Sequence, residues 1–397
     1  MLLREVAENA LRRWDALERA NGAEPVIDFD CAPIEPPSGA YENRLDALTD
    51  LTKLRDEAAA AGLHAIRCDL DAHVTYLAAL AGQQFALSEY ISRTQGCATT
   101  GWSQDYIDHR KALAQDALAA LGVDWSTDTK RALAVIEEQI SPDEVGAAIK
   151  ECATKYEPIV RSLVSADAQF TITIENVNLD AYWSYWLDGA GTDARLRINR
   201  RNAHFSRIDV YRFALHEVLG HALQYASLTA RGASSDTDWL RILAVHCPHQ
   251  VLFEGLAQVL PWFVSPSDPL VTARLRLDHY LQLVNARIHL LVSNGASITE
   301  CLSSALAYAP WLSTNDILRE LRDRSTNPQL RSYLWAYPAG IDWFVQLTEA
   351  GGTVAVEVFR EAYKRPFTPH ELQQLWPAGP VAGGNQQALR LRHSHVG

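Results

Sequence analysis

The sequence predicts a mainly helical protein with one small β-sheet placed directly before its central helix. Apolar residues recur at helical spacing through most of the 397 residues. Residues 170–174 and 194–199 instead alternate apolar and polar side chains, which is typical of strands. The 21 glycines and 17 prolines are too few for a collagen-like or low-complexity chain. We therefore expect a folded core in which helices dominate.

The N-terminal half is predicted to be helical apart from one loop. Residues 2–20 place five large apolar side chains at helical steps, which predicts an amphipathic helix. Residues 25–40 contain four prolines and predict a loop. Ser141 and Pro142 predict a helix start, because serine caps free N–H groups and proline fits the first turn. Periodicity predicts the other helices of this half over 41–63, 67–95, 103–121 and about 126–139.

The pattern changes near residue 168 and returns to helical periodicity at residue 206. The two alternating segments, an aromatic run at 181–186 and a turn at 188–191 together predict two or three strands. The chain then predicts helices over 206–231, 236–263, 268–294, 298–307, 314–324, 328–350 and 353–364, followed by a short helix from Thr368.

Three regions are expected along the chain. The first is an N-terminal helical lobe at 1–165, and the second is a catalytic region at 166–376 that holds the sheet and the motifs described below. The third is a flexible tail at 377–397, in which His393 and His395 are expected to be solvated.

Charge and cysteine content exclude several classes of protein. The chain has 36 basic and 48 acidic residues, a net charge of −12, which disfavours binding of nucleic acid through a broad basic face. The N-terminus has early acids and no long apolar run, so we expect neither a secretory signal nor a membrane span. The six cysteines form no CxxC motif. We expect a cytoplasmic protein whose oligomeric state the sequence does not predict.

The central helix carries the strongest chemical signal, an HExxxH motif from His216 to His221. The HExxH motif of metalloproteases places its two histidines on one helical face, about 40° apart, whereas five residues of ideal helix separate them by about 140°. One π-type turn would return both imidazoles to one face. Gly220 lets the backbone deform there. The motif therefore predicts two metal ligands on a locally distorted helix.

A catalytic zinc site needs a third protein ligand and keeps one position open. Glu254 is the lone acid of the apolar stretch 251–263, where an unpaired carboxylate would be costly to bury. It is the expected third ligand, although pairing with an arginine or a helix cap would also explain it. His246 and His249 are rival ligands that more simply line the loop before this stretch. The expected cofactor is one Zn²⁺ per chain.

The segment 216–221 resembles the HExxGH helix of the dipeptidyl peptidase III family of zinc peptidases. A wider resemblance, over about 180–376, is to a large bacterial family of helical, gluzincin-like proteins of largely unassigned function. That family has an aromatic strand segment ending in Asn, an HE…GHxxQ helix, an EGxA helix, an arginine-rich helix with a glycine turn, and a YxxG helix. The matching segments here are 182–199, 216–224, 254–257, 287–300 and 337–340. Leu219 stands where that family usually has proline, and Ala222 where it has a second histidine.

The resemblance implies a helical, gluzincin-type metallopeptidase-like fold and assigns roles within it. His216, His221 and Glu254 would hold Zn²⁺, which activates water at neutral pH. Glu217 would be the general base and not a ligand. Tyr337 would stabilise the oxyanion by donating a hydrogen bond.

Substrate binding is assigned to three further positions. Asn199 ends a strand whose edge would hold an extended substrate by backbone pairing. Arg287 or Arg331 would bind a substrate carboxylate through a bidentate guanidinium. The aromatic residues of the 181–186 run would line the pocket or pack in the core: Tyr182, Trp183, Tyr185 and Trp186.

These features predict a zinc metallohydrolase that cleaves a peptide or related amide, with a small molecule or short peptide as its partner. The first alternative keeps the site but changes the reaction to lyase, rearrangement or other chemistry on a small metabolite, as in a biosynthetic enzyme. The second alternative is a binding protein that has lost activity. The intact Glu217 argues against it, because an inactive site often loses its base.

Overall fold

The structure is a computed structural model that describes residues 2–34, 39–180, 184–234 and 236–384. It is mainly helical and contains one small mixed sheet, which confirms the predicted fold class. The helices before the central motif are α1 (Leu3–Ala20), α2 (Arg44–Ala60), α3 (His64–Leu80), α4 (Leu87–Thr94), α5 (Gln104–Ala119), α6 (Thr129–Glu137), α7 (Val145–Val164) and α8 (Arg207–Phe213).

The central motif itself lies on a π-helix, π1 (Ala214–Ala222), that continues directly into the next α-helix. The remaining helices are α9 (Leu223–Gly232), α10 (Gln250–Val264), α11 (Pro269–Ser293), α12 (Ile298–Tyr308), α13 (Thr314–Thr326), α14 (Pro328–Ala350), α15 (Gly352–Ala362) and α16 (Pro369–Leu375).

Two of the predicted helices are wrong in their extent. The helix predicted over 67–95 is two helices, α3 and α4, because the chain turns between them at Gly82, whose φ is +99°. The helix predicted over 236–263 begins only at Gln250. Pro248 lies two residues before that start. Because proline has no backbone N–H, it cannot donate the hydrogen bond that would join it to a preceding helical turn. Residues 236–249 therefore form an irregular segment.

The sheet contains more strands than the sequence predicts. Its strands are β1 (Phe29–Asp30), β2 (Thr171–Val177), β3 (Tyr185–Ala190), β4 (Asp193–Asn199) and β5 (Ile242–Leu243), in the order β2-β4-β3-β1-β5. β3 and β4 form an antiparallel hairpin, and β2 adds to β4 in parallel. β1 comes from the segment predicted as a loop and β5 from the segment predicted as a helix. Two-residue strands are too short to produce an alternating pattern.

Two close helix contacts position the central motif. An added Cβ at Gly220 of π1 would lie 2.8 Å from the Cβ of Ala257 on α10. On the opposite side of α10, a Cβ at Gly255 would lie 2.5 Å from the carbonyl oxygen of Gly340 on α14. Because glycine has no side chain, π1, α10 and α14 pack closely at these positions. This close packing brings His221 of π1, Glu254 of α10 and Tyr337 of α14 to one cavity.

The predicted division at residue 165 remains a prediction, and apolar cores cross it. One core lies between α1, α2 and α3, around Trp14 and Leu51, and also contains Ile242 of β5. The largest core joins Ile149 of α7 to π1, α10 and α14. None of the described helices has the length and hydropathy needed to cross a membrane.

The predicted tail is described only as far as residue 384. Within it, the carbonyl oxygen of Ala382 accepts a hydrogen bond from the Ala98 N–H at 3.0 Å, and that of Gly383 accepts one from the Gly101 N–H at 3.2 Å. His393 and His395 lie outside the described residues.

Candidate metal centre

The two histidines of the HExxxH motif meet on one face of the distorted helix, as the spacing predicts. His216 and His221 lie on π1, whose i→i+5 hydrogen bonds bring residues five apart onto one face. Their Nε2 atoms are 3.1 Å apart, and the two rings stand at 90° to each other. The predicted π distortion is thus confirmed, and it extends over nine residues.

Hydrogen bonds at the start of α8, and others from α15 and the turn after it, stabilise the π-helical segment. The helix begins with a capping box in which Ser206 and Asp209 satisfy each other's backbone N–H groups. Within π1, the Leu219 carbonyl oxygen accepts a hydrogen bond from the Tyr363 hydroxyl at 2.6 Å. One turn later the Gln224 side chain donates to the carbonyl oxygen of Ala362. Tertiary contacts with α15 and the turn after it therefore stabilise the distorted segment.

The carboxylate of Glu254, the expected third ligand, also lies beside the two histidines. Its Oε2 atom lies 3.3 Å from the His216 Nε2 atom, and its Oε1 atom lies 3.8 Å from the His221 Nε2 atom. Ligand atoms of a tetrahedral Zn²⁺ with bonds of about 2.0–2.1 Å are about 3.3–3.4 Å apart. The observed separations bracket this value. Two imidazoles and a carboxylate are also a donor set that zinc accepts, so the residues present fit the ion.

Burial and the neighbouring carboxylates shift the pKa values of the two histidines in opposite directions. Burial and the neighbouring His216 lower the pKa of His221 to about 3. Burial acts on His216 in the same direction, but the hydrogen bond to Glu254 and the charges of Glu217 and Glu254 raise its pKa above the usual value. The carboxylate of Glu254 keeps a lowered pKa despite its burial, because both histidines and Tyr333 surround it.

Glu217 lies beside the same histidines, and one of its carboxylate oxygens is within 4.8 Å of a ring nitrogen of each. Its Oε1 atom is 3.7 Å from the His216 Nε2 atom, and its side chain lines the cavity described below. Burial, together with Glu254, raises the pKa of Glu217 to about 7. A carboxylate with a pKa near the working pH suits a general base.

Two tyrosines on α14 connect to the metal centre, one predicted and one missed. The Tyr333 hydroxyl donates to Glu254 Oε1 at 2.5 Å, and the Tyr337 hydroxyl donates to the Tyr333 oxygen at 2.9 Å. The sequence predicted Tyr337 and missed Tyr333. The signal was present, because residues four apart share one helical face.

Two cavities open next to the centre. The larger, of about 430 Å³, is lined by Glu217, His221 and Glu254 and reaches Trp186. The smaller, of about 390 Å³, is lined by His216. Three residues line both cavities, Ser184, Tyr185 and Tyr337. The aromatic run predicted at the pocket therefore contributes Tyr185 and Trp186, while Tyr182 and Trp183 lie outside the described residues.

The three predicted substrate-binding residues lie away from both cavities. The buried Asn199 amide bonds the backbone N–H and C=O of Leu179. The Arg287 guanidinium lies over the Tyr308 ring at 5.5 Å. The Arg331 guanidinium donates to the Phe85 carbonyl oxygen at 3.1 Å and lies over Tyr90. Each side chain is thus engaged in packing within the fold. The larger cavity instead receives Arg324 and Asp28, and the smaller receives Arg212, none of which the sequence marked.

The rival ligands His246 and His249 do not join this centre. His246 belongs to a second buried group with His73 and Cys247, here called the His73 cluster. The His73 Nδ1 atom lies 2.9 Å from the His246 Nε2 atom, and the His73 Nε2 atom lies 3.5 Å from the Cys247 Sγ atom. The His249 Nδ1 atom lies 3.7 Å from Asp69 Oδ1.

Comparison with known proteins bears on the fold alone. The crystal structure of the putative lipoprotein from Colwellia psychrerythraea is similar to this chain, with a TM-score of 0.53 at 14% sequence identity. The similarity covers 76% of this chain and 54% of that one, so this chain spans about half the length of that neighbour. No family model matches the chain, and no curated protein matches it in sequence.

Proposed function

We propose that the chain is a gluzincin-like, zinc-dependent hydrolase of a peptide or amide, holding one Zn²⁺ on His216, His221 and Glu254. The observation that carries the proposal is the convergence of these three donors, 3.1–3.8 Å apart, beside a cavity. Bound zinc would supply Lewis-acid chemistry that makes water a nucleophile at neutral pH.

The side chains around the centre take the remaining steps. Glu217 accepts a proton from the attacking water and passes it to the leaving nitrogen, for which its pKa of about 7 is suited. Tyr337 lines both cavities, and its hydroxyl exchanges its hydrogen bond to the Tyr333 oxygen for one donated to the developing oxyanion. Tyr333 orients Glu254 through its hydrogen bond.

A second candidate keeps the same residues but acts on a small metabolite by elimination or rearrangement. The cavity volume of about 430 Å³ favours it, since sites for small molecules begin at about 300 Å³. The cytoplasmic assignment belongs to the same proposal. It is supported by the six cysteines, all of them unpaired, as in proteins of reducing compartments.

The test compares the wild-type protein with Glu217→Gln and a matched control, Glu320→Gln, which changes another glutamate of the same cavity. Metal analysis accompanies digestion of a peptide library and a panel of small amides. We expect Glu217→Gln to keep its zinc and lose about 10²–10⁴-fold in turnover, and Glu320→Gln to stay active. Full activity of Glu217→Gln would remove the base from the mechanism. Product of an elimination without peptide cleavage would select the second candidate.

A further inference from the structure

The larger cavity contains one carboxylate that the proposed mechanism does not use. Asp28 lies directly before β1, and its backbone N–H donates to the Leu243 carbonyl oxygen at 2.9 Å. Its side chain lines the cavity together with His221 and Glu254. Among the described residues no side chain or backbone group forms a hydrogen bond or an ion pair with the Asp28 carboxylate. It is therefore an acceptor that faces the cavity without a partner.

The other acids of this cavity are already accounted for. Glu320 accepts from the Arg324 guanidinium at 2.9 Å, and Arg324 is the one arginine that lines the cavity. Asp323 pairs with Arg322 at 3.2 Å. Glu217 and Glu254 belong to the metal centre. Asp28 is left as the carboxylate whose charge nothing in the described cavity wall offsets.

Asp28 is only partly exposed, so water solvates its carboxylate incompletely and a positively charged ligand beside it would stabilise the ionised form. Burial, together with the nearby carboxylates of Asp188, Glu254 and Glu217, raises the pKa of Asp28 well above its usual value. A cation beside Asp28 would reverse this effect, because an opposite charge favours the ionised carboxyl. The side of the Asp28 carboxylate that faces the cavity therefore suits a positively charged group of a ligand.

The smaller cavity is lined by arginines instead, and these already have acidic partners within the protein. Its arginines are engaged by acids of the protein: Arg212 donates to Asp278, and Arg274 lies 3.3 Å from Glu137 and 3.5 Å from Asp209. Both cations are neutralised within the fold. The charge that lacks a partner is therefore the negative one in the larger cavity.

Ring contacts connect Asp28 to the metal centre over a short path. The ring of Phe29, the next residue, contacts Tyr225 with centroids 4.8 Å apart. The Tyr225 ring is stacked on His221 at 5.7 Å. Asp28, His221 and Glu254 also line the same cavity of about 430 Å³, so a single small ligand can reach all three.

We propose that the larger cavity binds a substrate with a protonated amine, and that the Asp28 carboxylate accepts hydrogen bonds from this ammonium while the reacting carbonyl lies at the metal centre. The substrate class is then an amide or peptide with a free amino group close to the bond that reacts. This inference rests on the proposed function, since it places the reacting group at His216, His221 and Glu254.

The test uses two hydroxamates that differ only in the amine. Leucine hydroxamate carries the ammonium, and 4-methylpentanehydroxamic acid lacks it. Both are titrated calorimetrically into the zinc-loaded full chain, into Asp28→Asn and into the control Asp323→Asn. We expect the wild-type protein and Asp323→Asn to bind the amino compound at least about tenfold more tightly, as a charge-assisted hydrogen bond provides. Asp28→Asn should reduce this preference to about twofold or less.

The outcomes separate the inference from the proposed function. Equal binding of both hydroxamates by the wild-type protein overturns the inference, and so does a preference that survives in Asp28→Asn. The wild-type comparison alone decides the matter if that variant does not fold. Binding of 4-methylpentanehydroxamic acid to the wild-type protein but not to His216→Ala supports the metal centre, whatever the amine does. Equal binding to both of these proteins argues against the metal centre.

Discussion

The molecule contains two groups of histidines whose ring nitrogens are equally close together and whose surroundings differ. In the metal centre the two Nε2 atoms of His216 and His221 are 3.1 Å apart, and in the His73 cluster the two nearest ring nitrogens are 2.9 Å apart. Close nitrogen atoms therefore do not distinguish the groups. The difference lies in how each nitrogen is satisfied and in what surrounds it.

In the His73 cluster each ring nitrogen of His73 has its own neighbour. Nδ1 faces His246 and Nε2 faces the Cys247 thiol, so one chain of hydrogen bonds runs through the imidazole. Aromatic rings enclose this chain, with Tyr76 stacked on His246 at 4.1 Å. These residues line neither of the two cavities beside the metal centre. Their donor atoms also lie within 4.8 Å of one another, as metal ligands would, but the hydrogen bonds between them already satisfy the group as a neutral network.

In the metal centre, by contrast, both Nε2 atoms and a carboxylate face the same point. His221 and Glu254 also line a cavity of about 430 Å³, so the proposed centre is open to a small molecule. The comparison favours this group as the catalytic metal site, because such a site keeps one position open. It also gives a direct way to test the assignment, because the two groups can be changed separately.

The largest expected effect is on zinc content. The wild-type protein should hold about one zinc per chain, and His216→Ala should hold none, because zinc needs all three protein ligands of a catalytic site. The matched change His73→Asn should leave the zinc content unchanged. Metal analysis by mass spectrometry after dialysis measures all three. Loss of zinc from His73→Asn with retention by His216→Ala would reverse the assignment of the two groups.

Much of the metal centre was predictable because its signals are local. The five-residue spacing of His216 and His221 conflicts with an ideal helix, and this conflict itself predicts the π-helix that the structure contains. Glu254 is recognisable as a lone acid in an apolar helix. In each case the functional residues and the feature that makes them recognisable lie within one short stretch of sequence.

The residues that the sequence missed reach the site through long-range pairing. Asp28 lies in a segment with four prolines that predicts a loop, and only the pairing of β1 with β3 and β5 brings it to the cavity. Arg287 and Arg331, which were predicted to bind substrate, do not line the two cavities for the converse reason. An arginine on a helix has several packing partners available, and its sequence position does not indicate which face meets the cavity.

A smaller effect is expected when the support of Glu254 is removed. Tyr333→Phe deletes the 2.5 Å hydrogen bond to the ligand carboxylate, and loss of such an outer contact lowers metal affinity by about 10–100-fold. Tyr337→Phe is the matched control, because its hydroxyl contacts Tyr333 and not Glu254. Competition with a chelator of known affinity measures both. Equal weakening by the two changes would mean that the hydrogen-bonded chain acts as a unit.

The smallest expected effect is on the pH dependence of stability, and it tests the other member of the comparison. Burial and the neighbouring His249 lower the pKa of His73 to about 3, from an ordinary value of 6.5. Below pH 6.5 the unfolded chain therefore binds a proton that the folded chain does not bind. The contribution of this histidine to the free energy of unfolding is fully present above pH 6.5 and falls as the pH drops towards 3.

Between pH 7 and pH 5 this loss amounts to about 2 kcal/mol, as the linkage between pKa and stability requires. His73→Gln cannot titrate, so its free energy of unfolding should decrease by about 2 kcal/mol less than that of the wild-type protein over the same range. Urea denaturation at the two pH values gives both differences, with zinc removed so that the metal centre contributes equally. An identical pH dependence in the two proteins would mean that His73 becomes protonated in the folded state. A protonated His73 would leave the cluster with a cation of its own, and the contrast with the metal centre would no longer hold.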